Sequence, residues 1–211
     1  RFEVETLSAI SESIHNALVV LSMHLSPDED DLRLVSCLGD AVATQGGTLV
    51  IAREDLFDSC GIDSTVVARK SALIRRSEEM IRDLSLTRGF QVAFVNLPHI
   101  YGPGVARGPL QEQFRASTAG EPCSWPGKPN EAPRLIHVRD ACNALSLAFQ
   151  SAVRGGVSFH VEGEPEITMA GLAGMVGDFT GNRSRVTWPD VTFFETLLGT
   201  YSEDNPGRPS K

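Results

Sequence analysis

The chain has 211 residues, a formal net charge of −8 and a pI near 5.1. Proteins bind nucleic-acid phosphates through basic faces, so this acidic balance argues against a nucleic-acid partner. Hydrophobic residues make up 41% of the sequence, enough for a substantial core, and no apolar run approaches the ~20 residues of a membrane span. The four cysteines are scattered without a C-x-x-C pair, which predicts reduced thiols in a cytoplasmic protein and no metal site.

Five short runs rich in β-branched and aromatic residues are predicted strands. In chain order they are ALVVLSM (17–23), TLVIA (48–52), QVAFVNL (91–97), RLIHV (134–138) and VSFHV (157–161). Several are apolar at consecutive positions, which is typical of parallel strands covered by helices on both faces.

Stretches with the helical spacing of apolar residues separate these strands. They are DEDDLRLVSCLGDAVATQGG, STVVARKSALIRRSEEMIRDLSLTRG and VRDACNALSLAFQSAVRGG, and ITMAGLAGMVGDFTG follows the last strand. In the final stretch Thr168 is the expected N-cap and Gly181 the expected C-terminal glycine, while Met80, Met169 and Met175 are expected in the core. Alternation of strands and helices at this spacing predicts a doubly wound parallel α/β sheet.

Four stretches carry a likeness to a known family: SEEMIRDLSLTRG, RGFQVAFVNLPHIYGPG, RLIHVRDACNALSLAF and GVSFHVEGEPEITMAGLAGMVGDFTG. They resemble the NAD(P)-dependent epimerase/dehydratase family, the extended short-chain dehydrogenases. The likeness covers about residues 15–188. It implies a Rossmann-type domain over 1–190 that lacks its first βαβ unit, with a small substrate lobe from about 98–138 and 162–190. Residues 191–211 are then a polar tail.

The resemblance also marks positions at which this chain departs from the family's chemistry. Lys70 stands at the position of the catalytic tyrosine and Ile74 at that of the lysine, which in the family lowers the tyrosine pKa. Ala52 and the residues after it replace the usual serines, and Asn96 replaces a common arginine. Neither tyrosine of the chain has a lysine four residues later, and no G-x-G-x-x-G turn opens a strand–helix unit. A working hydride-transfer site is therefore not expected.

Several residues remain candidates for binding or catalysis. His99 and Lys70 are the candidates for an acid or base, His99 because a histidine titrates near neutral pH. His99, Tyr101, Arg134 and Arg75 are the predicted substrate-binding residues, the last as part of a cationic cluster with Lys70.

Two further positions matter only if NAD(P) binds, namely Ala52 and Asn96, which the resemblance places beside the cofactor. His137 and Asp140, which flank the start of a helix, are expected to brace the substrate lobe. No metal ligands are predicted.

Three functional hypotheses follow. The first is a protein of this family without redox chemistry, which binds a small molecule or acts as a structural subunit. The second is a cofactor-independent cyclase, lyase or isomerase that uses the cleft in which members of the family carry out their chemistry. The third is a fragment of an NAD(P)-dependent sugar-nucleotide epimerase, dehydratase or reductase, whose cofactor would bind to a preceding segment. If the 211 residues are the full length, the missing first βαβ unit leaves a parallel edge unpaired, and a homo-oligomer or a larger assembly is expected.

Overall fold

A four-stranded parallel sheet forms the centre of the computed structural model, which describes residues 18–23, 29–54, 65–105, 109–124, 128–163, 167–182 and 186–188. The strand order is β1-β2-β3-β7, and every neighbouring pair is parallel. The described strands are β1 (Leu18–Met23), β2 (Thr48–Glu54), β3 (Gln91–Leu97), β4 (His99–Tyr101), β5 (Cys123–Ser124), β6 (Leu135–His137), β7 (Val157–His160) and β8 (Val186–Thr187). The described helices are α1 (Glu29–Gln45), α2 (Thr65–Arg88), α3 (Pro109–Ala119), α4 (Val138–Gln150) and α5 (Met169–Thr180).

Helices α1 and α2 cover one face of the sheet. Residues alternate between the two faces of a strand, so Val92 and Phe94 of β3 point to this side and pack with Leu49 and Ile51 of β2. Helix α2 adds Ile81, which is fully buried. This face therefore holds the first hydrophobic core.

Helix α4 covers the opposite face. There Val50 and Ala52 of β2 pack with Val95 of β3 and with Ala141 and Ala148 of the helix. Small alanines at the contact allow α4 to approach the sheet closely. With helices on both faces, the sheet is doubly wound, as the sequence predicts.

The remaining elements form a small lobe beside the carboxyl ends of the strands. It contains two two-stranded parallel sheets, β4–β6 and β5–β8, and the packed helices α3 and α5. Leu110, Met169 and Val176 form its core, and Tyr101 and Trp188 pack against them.

The ends of α5 agree with the sequence prediction. Thr168 is the N-cap and accepts a hydrogen bond from the Gly171 N–H, and Gly181 has a left-handed conformation with φ 71° at the C-terminal end. Met169 is buried as expected, but the prediction for Met175 is wrong, because its side chain is 61% exposed.

The predicted strand 134–138 differs from the observed structure. Only Leu135–His137 are extended, and they pair with β4 in the lobe instead of joining the central sheet. His137 already caps α4, which begins at Val138. Within the described ranges, no helix is both long and apolar enough to cross a membrane.

Candidate functional site at the carboxyl edge of the sheet

Ligands of open parallel sheets bind in the crevice beyond the carboxyl ends of the strands. In this chain that edge is formed by the last residues of β2, β3 and β7. The short pair β4–β6 continues from it, because only Pro98 separates β3 from β4. The polar side chains at these strand ends are the candidate site.

The centre of the edge is occupied by an ion pair between a buried arginine and a half-buried glutamate. Arg53, at the end of β2, is 7% exposed, and its Nη1 donates to the Glu78 carboxylate on α2. Its Nη2 lies 3.4 Å from both the Ile74 carbonyl oxygen and Ser77 Oγ. Burial lowers the pKa of the Arg53 guanidinium, and the charge of Glu78 works in the opposite direction. The arginine thus fastens α2 to the end of β2.

Strand register places three polar residues side by side. Arg53 is the partner of Asn96 on β3, and Asn96 is the partner of His160 on β7. Partners on adjacent strands lie about 4.8 Å apart and point to the same face. Asn96 Nδ2 lies 3.3 Å from His160 Nδ1. We call Arg53, Asn96 and His160 the polar row.

The two residues predicted to contact a nicotinamide cofactor lie on opposite faces of the sheet. Ala52 is 5% exposed and packs in the core beneath α4, whereas Asn96 belongs to the polar row on the α2 face. Ile74 contributes its backbone carbonyl to Arg53. Lys70 lies on α2, but its side chain is outside the described part of the structure.

The residues predicted to bind substrate divide into two groups. Strands β4 and β6 bring three of them together: Tyr101 is the register partner of His137, and the His99 N–H donates to the Arg134 carbonyl oxygen at 2.9 Å. The His99 side chain is only 4% exposed, and Arg134 is half-buried. Arg75 lies apart on the exposed surface of α2.

Tyr101 and His137 form the link between the lobe and the edge of the sheet. Their rings meet edge to face with centroids 5.4 Å apart. His137 Nδ1 also accepts a hydrogen bond from the Arg139 N–H at 3.3 Å, which caps α4. Gly102 makes this packing possible, because a Cβ there would lie 2.8 Å from His137 Nε2.

Two features of this edge escape sequence reasoning. From the sequence, Arg53 is only one of the residues in the place of the missing serines, and nothing singles out His160. The contact between Asn96 and His160 spans 64 positions in the chain and follows from the pairing of β3 with β7. Among the described residues, no group of three or more histidines, cysteines or acids is arranged to hold a metal ion.

Comparison with solved structures reveals the same architecture elsewhere. The chain matches MoeE5 in complex with UDP-glucose and NAD with a TM-score of 0.67 and 18% identity, over 87% of this chain and 70% of that one. It matches the epimerase Mth375 from Methanothermobacter thermautotrophicus with a TM-score of 0.67 and 14% identity, over 89% of this chain and 63% of that one. For the UDP-N-acetylglucosamine 4-epimerase from Bacillus cereus the TM-score is 0.61 and the identity 16%, over 94% and 76% of the two chains.

The sequence by itself gives no such match. No family model matches it, and neither does any curated protein. At identities of 14–18% the structural likeness establishes the fold alone. The chain has a partial Rossmann-type α/β fold, similar to that of sugar-nucleotide epimerases.

Proposed function

We propose that the chain is a protein of the epimerase/dehydratase type that binds a small molecule at the carboxyl edge of its sheet and does not carry out hydride transfer with a Ser–Tyr–Lys centre. The observation that carries this proposal is the ion pair between buried Arg53 and half-buried Glu78. A reaction centre needs groups that face the substrate, but these two side chains face each other.

The described residues at the cofactor positions do not fit the family's nicotinamide chemistry. Ala52 is a core residue without a hydroxyl group, and Ile74 has no side-chain donor for a ribose hydroxyl. An isoleucine also has no charge with which to lower the pKa of a neighbouring phenol. The proposed role is therefore binding without redox turnover.

The lobe supplies the groups for ligand recognition. Tyr101 and His137 offer an aromatic wall, and Arg134 is a half-buried cation at the start of β6. A guanidinium suits the diphosphate of a ligand such as the UDP-glucose bound by MoeE5. A sugar nucleotide is thus the first ligand to test.

The test is calorimetry of the purified chain with UDP-glucose, together with an assay for NAD(P)H formation at 340 nm. We expect saturable binding of UDP-glucose and no NAD(P)H. Arg134→Ala should weaken the binding at least tenfold, because the diphosphate loses its cationic partner. The exposed Arg139→Ala is the matched control, and turnover of NAD(P) with any sugar nucleotide would disprove the proposal.

The second candidate function is that of an NAD-dependent epimerase of which this chain is one part. It is favoured by the coverage, since the chain spans 63–70% of the first two structures that it matches. Intact mass spectrometry of the protein from its natural source separates the two candidates. A longer polypeptide that binds NAD would support the second, and residues outside these 211 would then hold the NAD.

A further inference from the structure

The polar row contains more hydrogen-bond donors than its described neighbours satisfy. Arg53 uses both terminal nitrogens, but its Nε–H is buried and has no acceptor among the described residues. A buried donor without a partner is destabilising, so such groups call for an explanation. The open end of the row lies at His160, which is exposed.

Asn96 determines which imidazole nitrogen faces outward. When Asn96 Nδ2 donates to His160 Nδ1, the neutral ring carries its proton on Nε2. The Nε2–H then points away from Asn96, and the second amide proton of Asn96 has no acceptor among the described residues. The row therefore presents two N–H donors at its open end, with a guanidinium one strand away.

We propose that the polar row is a subsite for an oxyanion, the phosphate or carboxylate group of a small-molecule ligand. His160 and Asn96 contact the oxyanion, and the Arg53–Glu78 ion pair lies about one strand spacing from Asn96. This subsite lies on the α2 face of the sheet and extends the proposed ligand crevice beyond the lobe.

The electrostatics favour modest affinity. Glu78 neutralises most of the charge of Arg53, so the oxyanion is held mainly by directed hydrogen bonds and not by net charge. Its binding should consequently depend on the identity of residues 96 and 160 more than on ionic strength.

Nuclear magnetic resonance of the imidazole nitrogens tests the orientation of the His160 ring and the binding of an anion to it. The neutral form of the His160 ring should carry its proton on Nε2, and addition of inorganic phosphate should shift its signals saturably. A parallel titration with acetate distinguishes a phosphate site from a carboxylate site. A His160 ring protonated on Nδ1, or shifts that do not saturate with either anion, would overturn the proposal.

Variants test whether Asn96 and His160 are the residues that bind the anion. Asn96→Asp is nearly isosteric but replaces the amide donor by a carboxylate, so it should reduce phosphate binding at least tenfold and move the His160 proton to Nδ1. His160→Leu should reduce binding by a similar factor, and Gln150→Ala, an exposed residue at the end of α4, should leave it unchanged. Melting curves verify that each variant is folded, and binding undiminished in both site variants would refute the assignment.

The role of the polar row in a ligand crevice rests on the proposed function, but the two proposals can fail separately. If the wild-type chain binds UDP-glucose but neither phosphate nor acetate, the subsite alone is removed. Phosphate binding at the row without any affinity for sugar nucleotides would remove the proposed ligand class and leave the subsite.

Discussion

Arg53 has a structural role at a position where the chain lacks the serine that is usual in the epimerase/dehydratase family. The resemblance to the epimerase/dehydratase family leads one to expect an arginine at position 96, where this chain has asparagine. Strand register places Arg53 directly beside Asn96. The chain thus keeps a guanidinium at this level of the sheet, on the neighbouring strand, where it pairs with Glu78 of α2.

The two members of this pair should differ in their sensitivity to substitution. Glu78→Gln leaves Arg53, whose side chain is 8% exposed, as an uncompensated buried charge, and should lower the free energy of unfolding by about 3–5 kcal/mol. Arg53→Met should cost less, since Glu78 is 22% exposed and can be hydrated. Urea denaturation measures both, and the double variant completes a cycle.

The exposed pair of Arg115 and Glu112 is the matched control. Their side chains are 64% and 56% exposed, so Glu112→Gln should change stability by less than about 1 kcal/mol. If Glu78→Gln were no more disruptive than this control, the ion pair would not fasten α2 to the sheet.

Cys123 should be the least reactive of the described thiols. It is 7% exposed, and burial raises its pKa, with a further contribution from the charge of Glu112 that Arg115 opposes. Thiolates are the reacting species, so iodoacetamide at pH 8 should label the exposed Cys37 and Cys142 well before Cys123. Peptide mass spectrometry gives the order, and early labelling of Cys123 in the folded chain would contradict it.

The raised pKa of Cys123 has a consequence for stability. Because the folded chain holds the Cys123 proton more tightly than the unfolded chain, the stabilising contribution is complete below the ordinary thiol pKa of about 8.5. It decreases as the pH rises through the raised value in the folded state.

Sequence reasoning identifies side chains better than their neighbours. Asn96 is recognisable as a departure from the family, but its contact with His160 depends on which strand lies beside β3. Likewise the sequence suggests His99 for acid–base chemistry in a turn, whereas the pairing of β4 with β6 buries it. Burial and register are properties of the folded sheet, and a single sequence does not contain them locally.

At the scale of elements, local signals predict the boundaries that depend on caps. Thr168 and Gly181 delimit α5 because a hydroxyl acceptor and a left-handed glycine act within one turn. At the β6–α4 junction the predicted helix starts at Val138, as α4 does, but the predicted strand 134–138 is one residue too long at each end, since Val138 is also compatible with a strand. There His137 ends the strand by turning its ring back to accept from the Arg139 N–H.

The turn after β4 depends on the same histidine. Gly102 has φ 124°, and a Cβ at this position would lie 2.8 Å from His137 Nε2 and 3.0 Å from the Val138 side chain. Gly104 in the same turn has φ 85°, but a Cβ there would meet no described atom within 4 Å. Both glycines are conformationally required, but only Gly102 is also packed.

Gly102→Ala should therefore be more destabilising than Gly104→Ala. The second substitution carries only the backbone cost of a positive φ, about 1–2 kcal/mol, whereas the first adds an overlap with two side chains. Thermal unfolding of both variants measures the difference, which corresponds to roughly 2–4 °C per kcal/mol for a domain of this size. Equal melting temperatures would mean that the His137 ring moves aside without cost.

At the scale of the whole molecule, the central sheet has β1 at one end and β7 at the other. In the described residues β1 pairs only with β2, whereas β2 and β3 each have two neighbours. A parallel edge strand exposes backbone donors and acceptors that another chain can pair with. The expected oligomer or larger assembly would cover this edge.

Hydrogen exchange measured at two protein concentrations tests that expectation. Amides of β3, which is bonded on both sides and lies between two cores, should exchange slowly at any concentration. Amides of β1 should become better protected as the concentration rises, because association pairs the edge by mass action. Strand β7 is the internal comparison, since it is also an edge strand in the described sheet. Protection of β1 that stays low and does not change with concentration would mean that association, if it occurs, uses another surface.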